Sequence, residues 1–150
     1  MSFIIEALAA LGRETGVTHS SVVYALVSAS HVLGISLLIG PIVLVDFALI
    51  GWVARPEPGT LSLLRRTAMT GLALAAVTGV LLISARPHEY VSKPVVWAKL
   101  TLVLLAIANA IASENRAAAS GGAPAARVHA TASIALWLGV LLLGRWIAFA

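Results

Sequence analysis

The chain has 150 residues, of which 60% are hydrophobic and 11% charged, with a formal net charge of +4 and a mean hydropathy of +1.00. A soluble domain carries about twice that charged share, so most of this chain has lipid as its solvent. The lack of cysteine excludes disulfides, thiolate metal sites and thiol catalysis, and Lys and Arg scattered at helix ends, instead of on one basic face, suit headgroup anchoring and not a nucleic-acid partner.

Residues 2–12 place Phe3, Ile4, Ala7, Leu8 and Leu11 at helical spacing, which predicts a short N-terminal interfacial helix with Gly12 as its stop. The N-terminus lacks the basic n-region of a secretory signal, so insertion by an uncleaved first helix is expected. Thr18 or Ser20 is placed to cap the first spanning helix. Four apolar stretches then occupy residues 20–54, 63–84, 95–112 and 128–149. Each meets or approaches the roughly 20 helical residues that a 30 Å hydrocarbon core requires. The predicted fold is all-α, a four-transmembrane-helix bundle forming one integral membrane domain over residues 1–150.

Within the first span, Pro41 removes a backbone hydrogen bond after Gly40 and predicts a kink. Residues 55–60 carry turn chemistry, residues 86–94 form a second loop, and Pro94 or Val95 opens the third span. The stretch from Glu114 to Pro124, rich in Ala, Gly and Ser, reads as a mobile third loop. Gly71, Ala75 and Gly79 recur at four-residue steps, as do Ala106 and Ala110, and such small residues allow close helix packing in lipid.

Ionisable groups inside spans are costly and are therefore the candidate functional residues. His31, in the run Ser28 to Gly34, lies roughly 16 Å into the first span. Neutral imidazole is a good iron ligand, so His31 is the candidate metal ligand. The competing reading is a histidine hydrogen-bonded between helices. Lys99 beside Trp97 and Arg145 beside Trp146 are either snorkelling cations or cations held inward for a propionate, a quinone oxygen or an anionic lipid. His88 in the second loop is a candidate second ligand. His129 and Arg145 are sixteen residues apart, about 160° around a helix, so both cannot face inward and one belongs to the rim. Asp46 is expected to pair with Arg65, Arg66 or Arg127, with a proton-relay role facing Asn109 as the alternative. No HExxH motif, phosphate loop or nucleophile elbow is present.

Ser30-His31-Val32-Leu33-Gly34, Arg65-Arg66 with Thr78-Gly79, and Trp97-Ala98-Lys99-Leu100 leading to Asn109 and Asn115-Arg116 resemble an uncharacterised bacterial family of four-helix integral membrane proteins. Gly144 to Ile147 is similar to the Gly-Arg-Trp-Ile end of that family's last helix. More distantly, the order is similar to CopD-type copper-resistance membrane domains and to the haem b proteins of the HemJ protoporphyrinogen-oxidase type. The latter have His-x-x-Gly in the first span and a Trp-x-x-Lys-Leu-like motif later. Here the Trp-to-Lys spacing is one residue shorter, and the first span lacks that family's aromatic-rich stretch. The resemblance implies a haem b site with His31 as axial ligand, Lys99 beside the tetrapyrrole, and electron exchange with a quinone or a membrane redox partner. Copper fits less well, because Met69 is the sole thioether in the spans. The alternative function is a non-enzymatic membrane subunit or a small transport component for copper or another small solute. The expected location is the bacterial inner membrane with both termini periplasmic, since Arg55, Arg65, Arg66, Arg116 and Arg127 flank the two interhelical loops on the other side. Self-association is left open.

Overall fold

The computed structural model describes residues 2–119 and 123–149. They form six helices and no strand: α1 (Ser2–Glu14), α2 (Ser21–Ile50), α3 (Pro58–Ala85), α4 (Pro87–Ser92), α5 (Pro94–Ala119) and α6 (Ala123–Trp146). Four of them, α2, α3, α5 and α6, are long and apolar enough to cross a bilayer. No more than 22% of the apolar window in any of the four is buried, so lipid must solvate the remainder. Leu26, Leu33, Val77, Leu104 and Leu142 are among the large exposed side chains. The protein is all-α and multi-pass.

Local chemistry sets the helix ends, and several differ from the sequence expectation. Gly12 does not stop α1. It lies inside the helix, where an added Cβ would collide with the Ser84 backbone, so its missing side chain serves close packing against the end of α3. The chain turns instead at Gly16, with φ +76°. Ser20 caps α2 by accepting from the Val23 N–H at 3.3 Å.

α2 runs unbroken through Pro41 but stops at Ile50, four residues short of the apolar run. Gly51 adopts φ +98°, the Trp52 N–H donates to the Phe47 carbonyl at 2.9 Å, and the rings of Phe47 and Trp52 meet at 5.0 Å. This is a Schellman-type ending with its hydrophobic contact. Pro58 then opens α3 earlier than expected, because proline at the first helical position gives up no bonded donor.

The segment read as the second loop contains α4. Pro87 starts it, Glu89 lies in its first turn, and Glu89 meets Lys93 at 3.2 Å and Arg86 at 3.5 Å. Helix also enters the segment read as the third loop from both sides. Residues 114–119 continue α5 and Ala123 begins α6, because alanine, which dominates this stretch, is the strongest helix former. Residues 120–122 and the side chains of Glu114, Asn115 and Arg116 lie outside the described set.

The chain forms two compact units. The first unit takes α1, α2 as far as Gly40, α3 from Arg66, and α4. In it α2 and α3 run antiparallel in close register. A Cβ on Gly34 would lie 2.7 Å from the Ala75 nitrogen, one on Gly71 would strike the Leu38 nitrogen, and one on Gly79 would lie 3.2 Å from the His31 ring. The stripe Gly71, Ala75, Gly79 is thus the α2-facing surface of α3. The second unit takes α2 from Pro41, the start of α3, α5 and α6. There α5 and α6 are antiparallel, with Leu102 against Gly139 and Lys99 against Gly144. Ala106 is buried while Ala110 is exposed, so the second small-residue pair is only half used for packing.

Candidate functional site

The register of α2 against α3 places His31 beside Thr78 and Gly79. His31 Nδ1 lies 3.0 Å from Thr78 Oγ1, and Thr78 itself is buried. The Thr78 hydroxyl donates to the Leu74 carbonyl at 2.6 Å. A hydroxyl has one proton, so Thr78 must accept from His31, and the imidazole is the tautomer with its proton on Nδ1. The unprotonated nitrogen is then Nε2, the atom that binds a metal in this tautomer. A metal-binding histidine usually donates its other ring N–H to such an acceptor, which fixes the ring and its tautomer. Thr78 was within reach of sequence reasoning only through the helix register, which the repeat of small residues hints at without determining.

His88 belongs to the same unit, exposed on α4. Nearby, a cleft of roughly 400 Å³ is bounded by Thr18, His19, Tyr24, Arg86 and Tyr90. Burial first, and then the neighbouring Tyr24, push the Tyr90 phenol above its ordinary value. Glu89, on the same short helix, is held below the usual carboxylate value by its hydrogen bond to Lys93 above all, with Arg86 adding to the effect.

Lys99 and Arg145 both belong to the second unit. The Lys99 ammonium rests on the bare backbone of Gly144, 3.2 Å from where a Cβ would stand, and has neither hydrogen bond nor ion pair among the described residues. Arg145 is exposed and lies over the Phe149 ring, 5.0 Å from its centroid. The four predicted site residues therefore divide between the units, His31 and His88 in the first and Lys99 and Arg145 in the second. Among the described residues no three His, Asp or Glu side chains converge.

Two further polar links join helices of the second unit. The Asn109 amide donates to the His129 carbonyl at 3.0 Å, while His129 Nδ1 donates to Asn109 Oδ1 at 2.8 Å. Asp46 does not form the expected ion pair. It is buried, no cation pairs with it among the described residues, and its hydrogen-bonding neighbour is Ser133 on α6. Arg65, Arg66 and Arg127 flank this end of the spans in the sequence, but the Asp46 side chain meets α6 at Ser133 instead. Asn109, its other expected partner, is bonded to His129.

No family model, curated protein or solved structure matches the chain.

Proposed function

We propose that this chain is a membrane-embedded haem b-binding protein that passes single electrons to or from a quinone or a partner redox protein. The observation that carries the reading is the His31–Thr78–Leu74 hydrogen-bond series, which holds the His31 ring in place by its Nδ1 deep in a span. His31 would hold the iron, and His88, in the same unit, is the candidate second ligand. Haem supplies reversible one-electron exchange, and the apolar spans supply a dry surrounding for its ring. The resemblance to HemJ-type proteins supports the same assignment of His31. The bacterial inner membrane is the proposed location, with both termini periplasmic.

Protein purified from a haem-competent host should show a Soret band. His31→Ala should abolish it with helical content unchanged, and His129→Ala should preserve it. Thr78→Val should weaken haem retention roughly tenfold, the effect expected of losing the acceptor that orients the His31 ring. A colourless wild-type protein sinks the proposal. The second reading, a structural membrane subunit or small transport component, is favoured by the use of His31, Asn109 and Ser133 as polar links between helices.

A further inference from the structure

The second unit contains a buried carboxyl group that the haem reading does not use. Asp46 is only 6% exposed, within the membrane-spanning part of α2. Ser133, itself buried, is the hydroxyl beside it, and Asp46 Oδ2 has no hydrogen-bond partner. No Lys, Arg or His pairs with it among the described residues. The nearest titratable side chain on the helix packed against it is His129, one turn before Ser133, and its Nδ1 is committed to Asn109. Lys99 meets α6 at Gly144, eleven residues past Ser133, which is about 16 Å along the helix.

His129, Ser133 and Trp137 follow at four-residue steps and so share one face of α6. The Trp137 indole N–H is likewise buried without a partner. Among the described residues, Asp46 Oδ2 and Trp137 Nε1 are the two buried side-chain polar atoms left unsatisfied. Ser133, the neighbour of Asp46, and Trp137 lie on adjacent turns of the same α6 face. Native interiors leave few such groups, and each calls for an explanation.

An isolated carboxylate anion in this setting is far more costly than a neutral carboxyl group, so the site must hold a positive ion. A hard metal cation would need about six oxygen ligands. Asp46 and Ser133 offer two side chains, and no larger acidic cluster is assembled among the described residues. A proton needs one oxygen. We propose that Asp46 is a proton-binding site within the membrane, with the proton on Oδ2, the Ser133 hydroxyl donating to Oδ1, and exchange with the aqueous side at which α6 begins. The site is independent of haem and stands whether or not His31 binds iron.

Asp46 is the only aspartate in the chain, which makes the test direct. Full-length protein carrying isotope-labelled aspartate, reconstituted in nanodiscs at neutral pH, should show an infrared carboxylic-acid C=O band that the label displaces. That band should shift in heavy water, vanish in Asp46→Asn, move in Asp46→Glu, and rise in frequency in Ser133→Ala, which removes the hydrogen bond to the carbonyl. A label that displaces only carboxylate bands would overturn the proposal without any variant having to fold. So would a C=O band that is insensitive to heavy water, since it would show a proton that does not exchange.

Discussion

At the scale of single residues, the environment of each polar side chain decides its chemistry more than its position in the span does. Tyr90 is a clear case outside the membrane, because burial and Tyr24 both disfavour its phenolate. The native state therefore binds this proton more tightly than the unfolded chain. The stabilisation is fully present below the ordinary phenol value of 10.0 and is lost as pH rises through the higher native value. Tyrosinate absorbance, compared with that of Tyr90→Phe, isolates the Tyr90 component. A component titrating above 10.0 should disappear in Tyr90→Phe and should return to the ordinary phenol value when the protein is unfolded. A wild-type titration with no component above the ordinary value would refute the assignment. The site residues show the same dependence on environment. His31 stands out in the sequence as the one histidine deep in a span, but its tautomer rests on Thr78, forty-seven residues away, and only the register of two helices reveals that. The isolation of Asp46 was hidden for a similar reason, since the sequence offers it arginines at the same depth and the rotation of α2 denies them.

At the scale of elements, the contact of α2 with α3 depends on positions that lack side chains. In lipid there is no apolar driving force between helices, so close backbone approach and van der Waals packing must hold them. Gly34→Leu places its first added carbon against the Ala75 backbone, which cannot rotate away, and should destabilise the protein by about 2 kcal/mol. Gly59→Ala meets nothing within 4 Å and should be neutral or mildly stabilising, as expected from helix propensity alone. Thermal or detergent-induced unfolding of the two variants should separate them clearly, and equal stabilities would show that the helices do not pack through Gly34. The four spans were legible because length and apolarity are properties of composition along a line. Their ends were not, because Gly51, Pro58 and Pro87 act through backbone geometry that hydropathy does not register. The alanine-rich stretch around residues 114–126 misled for the opposite reason: small residues suggest a linker, while the intrinsic preference of alanine is helical.

At the scale of the whole molecule, the proposed topology has four crossings, an even number that puts the N- and C-terminal ends of the membrane region on one side. Arg55, Arg65 and Arg66 lie at the α2–α3 connection, and Arg116 and Arg127 lie around the α5–α6 connection. Arg13, Arg86 and Lys93 lie at the opposite ends of the helices. Lys99 and Arg145 decide the balance, since counting them with the terminal side produces a tie. The structure separates them: Lys99 is partly sheltered on Gly144, whereas Arg145 is exposed and stacked on Phe149. Setting aside Lys99 alone leaves the excess of positive charge on the two interhelical connections, and cytoplasmic loops carry that excess. Alkaline phosphatase fused after Phe149 should therefore be active and green fluorescent protein dark, with the opposite pattern for fusions in the α2–α3 connection. If Lys99 is what tips the balance, Lys99→Gln should leave this topology intact, while two lysines added beside Lys93 should push a fraction of the molecules into the inverted orientation. A fluorescent C-terminal fusion in the unaltered chain would mean that the charge count has been assigned to the wrong side.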